Sequence, residues 1–256
     1  ADLTLYTLAF LALAAFCAGL IDAIAGGGGL IQLPALLIGL DKTETVVVLG
    51  TNKVPSIFGT SFSGAAYFRK VRPDLHATLF MAVPAFLGSI GGARLAAGFP
   101  KEVFRPLLVL LLISVAIYTW IKPDLGMNEK LRFTPKKRNA ILLGCGSGIG
   151  FYDGIFGPGT GTFLMAVLVG VLGYSFLSAS AIAKFTNVAT NLAALLIFAK
   201  HGAILWGIGI ALAISNVIGS TIGSHMAIKG GSPLVRKVFL LMTTLLIAKV
   251  GYDVIK

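Results

Sequence analysis

Apolar segments alternate with short polar or glycine-rich stretches along the whole chain. Most of the segments are long enough to cross a hydrocarbon core of about 30 Å as a helix, which takes about 20 residues. The pattern predicts an all-α polytopic membrane protein. In the first half the segments cover 4–25, 30–40, 45–68, 75–97 and 103–121, and in the second half they cover 139–156, 162–172, 177–199, 204–228 and 234–254.

The two halves follow one plan, in which a long segment is followed by a glycine-rich break, a short segment and three long segments. Individual residues match as well. Asp22 precedes the first break as Asp153 precedes the second, at an offset of 153 − 22 = 131. We interpret residues 1–121 and 139–256 as two repeats of transmembrane helices, joined by a basic cytoplasmic loop at 122–138.

The short segment of each half bears on the orientation of the repeats. As a helix, the segment 30–40 covers about 16 Å, roughly half of the hydrocarbon core. Extended glycines from 26 to 29 would add roughly 13 Å, so that break and segment together would just cross and each half would have about five crossings. If the first long segment and the short segment instead formed a re-entrant hairpin, each half would have about three crossings. Because the number is odd in either case, the sequence predicts inverted repeats whose broken helices meet near the membrane midplane.

Positive charge favours this inverted arrangement, because cytoplasmic loops of membrane proteins are rich in Lys and Arg. Inversion places the basic clusters at 69–72, 122–138 and 229–237 on one side of the membrane. That side is then cytoplasmic, and both termini lie on the other. A parallel repeat with one broken helix per half is the alternative, and it would place 229–237 outside.

Composition excludes several classes of protein. With 56% hydrophobic and 12% charged residues, the chain is neither a soluble domain nor a disordered one, and 256 residues leave no room for a separate catalytic domain. The formal net charge of +11 is scattered over short loops, so no nucleic-acid partner is predicted. Cys17 and Cys145 lie in apolar segments and are interpreted as packing residues, and neither a metal site nor a cofactor is predicted. We interpret the opening apolar run as a retained helix.

The glycine-rich breaks at 26–29 and 157–161 are the strongest indication of a functional site. Backbone groups cannot be left unpaired in lipid, so such breaks must lie inside protein or along a wet cavity. A helix that restarts after a break has free amides and a positive dipole end, which attract an anion. Isolated glycines such as Gly91 and Gly92 are interpreted instead as positions of close helix packing.

Two lysines inside predicted spans strengthen this hypothesis. Lys53 follows Thr51 and Asn52, and Lys184 precedes Thr186 and Asn187. An intramembrane cation is costly without a purpose, whereas Lys can bind a sulfonate or carboxylate and Thr and Asn can orient it. The alternative is that both lysines are snorkelling side chains. Asp22 and Asp153 either carry protons or have a structural role, pairing with a Lys or capping the unwound turn. Arg94 and His225 are equivalent at 225 − 94 = 131 and are interpreted as solvated helix ends.

These motifs resemble the sulfite exporter TauE/SafE family over nearly the whole chain. The resemblance is carried by 21–30 with 34–36, by 51–53, by 151–159 and by 183–187. It implies transport of sulfur-containing anions such as sulfite or sulfonates, coupled to an ion gradient. Family membership alone does not determine the substrate.

The residues and the resemblance together predict a secondary transporter, an exporter of small organic or inorganic sulfur-containing anions that works by alternating access in the cell (inner) membrane. Its predicted partners are the small anion and the lipid bilayer, and it is not an enzyme. A passive anion channel is the alternative, and an intramembrane aspartyl protease is less favoured. The anion, the direction, the coupling ion and the oligomeric state stay open. The predicted substrate-binding residues are Gly26, Gly27, Gly28, Gly29, Gln32, Thr51, Asn52, Lys53, Gly157, Pro158, Gly159, Thr160, Gly161, Lys184, Thr186 and Asn187.

Overall fold

A computed structural model of the protein describes residues 4–96, 117, 121 and 125–255. Within these residues the chain forms helices and no strand, which confirms the all-α prediction. The helices are α1 Leu5–Ala25, α2 Gly29–Gly39, α3 Thr45–Val71, α4 Leu75–Leu95, α5 Pro135–Ile155, α6 Thr160–Met165 with a π-helical continuation Ala166–Leu172, α7 Phe176–Lys200 and α8 Trp206–Ile255.

The predicted apolar segments agree with these helices to within a few residues at their ends. Helix α8 contains two of them, 204–228 and 234–254, joined across a break at Gly231, where φ is 62°. Helix α5 begins at Pro135, so the last residues of the predicted loop 122–138 are already helical. The predicted segment 103–121 falls almost entirely outside the described residues.

The first glycine-rich break is a tight turn. Gly26 and Gly27 have φ values of 76° and 90°, which side chains disfavour, and the Leu30 amide donates to the Gly27 carbonyl at 2.9 Å. Helix α2 then runs back along α1, so that a Cβ at Gly39 would lie 3.0 Å from the Leu11 side chain. The interpretation in which extended glycines carry the chain across is therefore wrong, and α1 and α2 form a re-entrant hairpin.

The second break reverses the chain in the same way. Gly157 and Gly159 have φ values of 89° and 83°, and the Thr160 amide donates to the Gly157 carbonyl at 3.2 Å. The far end of the helical segment after the break returns to the residues that precede α5, because the Arg132 amide donates to the Leu172 carbonyl at 3.1 Å. Helices α5 and α6 thus form a second hairpin.

The two hairpins start from opposite ends of α3. The base of the first hairpin packs beside the start of α3, where Leu36 and Val48 share one apolar cluster. The base of the second lies near the end of α3, where the Tyr174 hydroxyl donates to Asp74 Oδ2 at 3.1 Å. Burial and the Asp74 carboxylate both raise the pKa of this phenol above its ordinary value. Opposed bases leave the two tips to meet inside the bundle.

Equivalent helices pack through equivalent small residues. A Cβ at Gly219 in α8 would lie 2.0 Å from the Phe16 carbonyl oxygen in α1, and one at Gly88 in α4 would lie 2.3 Å from the Ser147 carbonyl oxygen in α5. Both residues of one contact differ from those of the other by 131, since 219 − 88 and 147 − 16 agree. Gly92 meets α5 as closely, which confirms its packing interpretation.

The outer surface is apolar, as a lipid environment requires. Large hydrophobic side chains such as Leu79, Leu196 and Ile214 are 55 to 65% exposed. Among the described residues, four helical stretches are long and apolar enough to cross a membrane: Leu5–Ala25, Leu75–Leu95, Phe176–Lys200 and Trp206–Leu245. The protein is therefore a polytopic membrane protein.

Candidate substrate site

The tips of the two hairpins contact each other through backbone. A Cβ at Gly26 would lie 2.4 Å from the Gly161 carbonyl carbon, and one at Gly29 would lie 3.0 Å from Pro158 Cα. Only glycine can occupy such positions without pushing the tips apart. The prediction that the two breaks approach each other is confirmed, whereas their depth in a membrane stays a prediction.

Two ion pairs cross between the halves next to these tips. Lys53 Nζ lies 2.9 Å from Asp153 Oδ2, and Lys184 Nζ lies 2.9 Å from Asp22 Oδ2. Each ammonium also donates to the backbone carbonyl of its aspartate. Each lysine thus caps the carboxyl end of a hairpin helix from the opposite half, where the helix dipole favours a cation.

The two pairs differ in exposure. The Lys53 and Asp153 side chains are 3% and 2% exposed, and Asp153 Oδ1 also accepts from the Thr160 hydroxyl at 2.7 Å. The Asp22 side chain is 16% exposed. Its Oδ1 accepts from the Gly28 amide at 3.4 Å, a weaker contact than that of Thr160. Asp22 is therefore the carboxylate that a solute can approach.

Side-chain amides from three helices surround the first hairpin. Gln32 Nε2 donates to Asn52 Oδ1 at 3.0 Å, and Asn216 Nδ2 donates to Gln32 Oε1 at 2.8 Å. This chain fixes the direction of the Asn52 amide, whose nitrogen has no acceptor within the described residues. The side-chain amide nitrogen of Asn52 is thus free to donate a hydrogen bond.

A similar arrangement lies in the second half. Asn187 Oδ1 accepts from Asn191 Nδ2 at 3.3 Å and from the Thr190 hydroxyl at 3.3 Å. Its own amide nitrogen has no acceptor among the described atoms. Asn52 and Asn187 occupy equivalent positions, so the halves present equivalent free donors.

These groups enclose a small cavity between the tips. The space open to the centre of a water-sized sphere is about 30 Å³, room for about two or three waters. Its lining is polar and comes from both halves. The lining residues are Ala18, Asp22, Gly27, Gly28, Gly29, Gln32, Asn52, Lys53, Ser56, Thr60, Gly157, Gly159, Thr160, Gly161, Asn187, Asn191 and Asn216.

Five of the predicted residues do not line this cavity. Thr51 accepts from the Leu205 amide at 2.9 Å, and Thr186 donates to the Ile182 carbonyl at 3.0 Å, so both hydroxyls are used in holding helices. Lys184 lies behind Asp22, and Gly26 and Pro158 contact the opposite tip instead.

Sequence reasoning missed Ala18, Ser56, Thr60, Asn191 and Asn216. Spacing gives a signal for some of them. Ser56 and Thr60 follow Asn52 at intervals of four, and Asn191 follows Asn187 by four, so each series shares one helix face. Asn216 has no such series, and its role rests on the Gln32 contact. Among the described residues no cluster of His, Cys, Asp or Glu is placed to hold a metal ion.

Comparison with known proteins relates this sequence to a larger group of membrane proteins. Residues 11–250 match the family described as Sulfite exporter TauE/SafE. A Sinorhizobium protein named "Probable membrane transporter protein ORF9" is 38% identical over 254 residues, 98% of this chain and 95% of that protein.

Two further relatives carry similar names. A Haemophilus influenzae protein named "Probable membrane transporter protein" is 34% identical over 98% of this chain and 97% of its own length. The Escherichia coli "Probable membrane transporter protein YfcA" is 34% identical over 93% of this chain and 87% of its own. No solved structure matches the chain significantly.

Proposed function

Since this chain belongs to the sulfite exporter TauE/SafE family, we propose that it exports small organic or inorganic sulfur-containing anions, such as sulfite or sulfonates, by alternating access. It is a multi-pass membrane transporter and not an enzyme, in keeping with the family and its named relatives. Export from the cell and a place in the inner membrane belong to the proposal.

The observation that carries the proposal is a cavity between two helix starts that combines free donors with a cation. The Gly27 and Gly29 amides have no backbone acceptor in the described part of the chain, and both residues line the cavity. Asn52, Asn187 and Lys53 line the same space. Donors without acceptors favour an oxyanion, whose oxygens accept several hydrogen bonds at once.

Charge balance suggests how the anion enters. The two lysines and two aspartates carry no net charge together, so an incoming anion competes with a carboxylate for an ammonium. Asp22 is the exposed member. We infer that the anion, or a proton taken up by Asp22, displaces this carboxylate from Lys184 and so couples binding to rearrangement of the two halves.

The hairpin arrangement supports inverted repeats. Hairpins that start from opposite ends of α3 and meet at their tips are what inversion requires. Close to the second hairpin, the Leu177 amide donates a hydrogen bond to Ser232 Oγ at 3.3 Å. This contact holds the basic stretch 229–237 at the same end as the loop 125–134. Rocking of one half against the other then opens the cavity to each side in turn.

The small size of the cavity favours a carrier over a passive channel. A pore in its open form has a continuous water path, whereas here the tips touch and leave only about 30 Å³. The same volume favours a compact anion such as sulfite, and a longer sulfonate needs the tips to separate.

Ligand-induced stabilisation of the purified protein tests the proposal. A bound anion raises the unfolding temperature in proportion to the logarithm of its concentration above Kd. Sulfite, sulfoacetate, taurine, thiosulfate and simple carboxylates form the screen, with chloride at equal ionic strength as the control. We expect sulfite or a sulfonate to stabilise the protein. Stabilisation by none of the sulfur anions, or by carboxylates alone, would refute the substrate class.

A further inference from the structure

A second open space lies between the last turns of α3 and the stretch of α8 that precedes the break at Gly231. It is a groove of about 620 Å³, lined by Phe62, Ala65, Ala66, Arg69, Lys70, Thr221, Ser224, His225, Ile228 and Lys229. This volume is that of a ligand pocket rather than a packing defect. We refer to it as the basic groove.

The basic groove is divided into a charged end and an apolar side. Arg69 and Lys70 lie in the last turn of α3, and Lys229 lies just before the break in α8. Phe62 and Ala65 lie one to two turns earlier on α3, and Phe62 is 54% exposed. Charge thus collects at the helix ends and apolar surface extends toward the middle of the spans.

The cations of the basic groove have no partner in the described part of the chain. Arg69, Lys70 and Lys229 make no ion pair or hydrogen bond there, and the lining contains no carboxylate. This contrasts with Lys53 and Lys184, which are both paired. Unpaired cations that line one groove repel one another, and an anion bound among them removes this repulsion.

From this pattern we propose that the basic groove binds one anionic glycerophospholipid. Its phosphate lies among Arg69, Lys70 and Lys229, and an acyl chain lies along Phe62 and Ala65. Basic pockets between membrane helices hold anionic headgroups by this charge complementarity. A second copy of the chain fits less well, because a two-fold contact would bring the same cations face to face.

Native mass spectrometry of the detergent-purified protein tests this site, with dioleoyl phosphatidylglycerol and dioleoyl phosphatidylcholine as probes. We expect the wild type to retain one phosphatidylglycerol in preference to phosphatidylcholine. The triple variant R69Q/K70Q/K229Q should lose that preference, with affinity falling roughly 100-fold for three cations. The matched control K42Q/K136Q/K200Q removes three exposed lysines elsewhere and should retain the lipid.

A second variant separates shape from charge. Ala65→Phe fills the apolar side of the groove at an exposed position and should also weaken retention while leaving every cation in place. The proposal would be overturned if R69Q/K70Q/K229Q and the control K42Q/K136Q/K200Q lost phosphatidylglycerol equally. It would also be overturned if Ala65→Phe retained the lipid in full. Displacement of the lipid by equimolar glycerol phosphate would show a site for a free phosphate, and a wild-type dimer that the groove variant dissociates would show a protein interface. Either result would overturn the lipid site.

Discussion

Each buried lysine at the hairpin tips lies opposite an aspartate from the other half of the chain. A buried ion pair gains little stability over an apolar pair of the same volume, because both charges lose their hydration. We therefore propose that the two pairs act in binding rather than in folding. In the proposed mechanism, the pairs keep two cations inside the protein without net charge until an anion binds.

Lys53 gives the first test at this scale. Lys53→Gln leaves the buried Asp153 carboxylate without its cation, and we expect the free energy of unfolding to fall by about 3 to 5 kcal/mol. Lys53→Gln combined with Asp153→Asn removes the stranded charge and should recover most of that loss. Anion affinity in the double variant should stay about 10- to 150-fold weaker, the value of one charge-assisted contact. Denaturant unfolding and anion binding measure the two effects, and wild-type affinity in the double variant would make Lys53 structural.

Asp22 gives the second test, because its carboxylate is the accessible one. Asp22→Asn leaves Lys184 unpaired, and we expect the variant to be destabilised at low salt and restored by the substrate anion. Asp153→Asn is the matched control. Because the Asp153 side chain is only 2% exposed and also accepts from the Thr160 hydroxyl, the anion should restore this variant less than it restores Asp22→Asn. Thermal unfolding with and without sulfite measures the difference, and equal behaviour of the two variants would argue against entry of the anion beside Asp22.

The hairpin turns are the elements on which the site depends. Gly26→Ala places a side chain at φ 76° and 2.4 Å from the Gly161 carbonyl carbon. Left-handed backbone alone costs roughly 1 to 2 kcal/mol for an L-residue, and the clash adds to it. We expect transport to be lost and the unfolding temperature to drop.

Gly144→Ala in α5 is the control for that substitution. Its Cβ would meet no atom within 4 Å, and Ala is favoured over Gly in a helix by roughly 0.5 to 1 kcal/mol. Stability and transport should therefore be kept or improved. Normal transport by Gly26→Ala would mean that the tips do not touch in the working protein.

At the level of elements, the sequence was enough to predict where the helices break but not which way the chain turns. The run of glycines at 26–29 predicts a break in the helix. It does not predict the backbone conformation at the break, because glycine adopts extended and left-handed conformations alike. The reversal is decided by tertiary contacts such as that of Gly39 with Leu11, which no local pattern reports. Asn191 was within reach of prediction through its spacing from Asn187, whereas Asn216 depends on a contact 184 residues away.

For the whole molecule, the repeat in the sequence predicts equivalent lysines and aspartates in the two halves. It does not predict that each lysine pairs with the aspartate of the other half. The sequence identifies Lys53 and Lys184 as equivalent intramembrane cations, and it offers pairing with a lysine as one possible role of Asp22 and Asp153. That each lysine would cross to the other half was not predictable, since the Lys53 and Asp153 pair spans 100 residues of chain. These crossed pairs join the halves at the hairpin tips, where we propose that the halves move apart.

Inversion makes a topological prediction for the whole chain. In a background with Cys17 and Cys145 replaced by Ser, single cysteines at Asn128 and Lys237 should react with a membrane-impermeant maleimide only from the cytoplasmic side. A cysteine at His201 should react only from the opposite side. All three positions are exposed. Labelling of Lys237→Cys on the side of His201→Cys would favour the parallel repeat.

Counterflow in liposomes tests the central claim, that this protein carries a sulfur-containing anion through the cavity between its hairpin tips. Vesicles are loaded with excess unlabelled sulfite or sulfonate and diluted into a trace of labelled anion. We predict that the label accumulates transiently above its equilibrium level, saturates with substrate, and is lost in the Lys53→Gln, Asp153→Asn double variant. Equilibration of the label without a transient excess, or an excess that the double variant retains in full, would contradict the account.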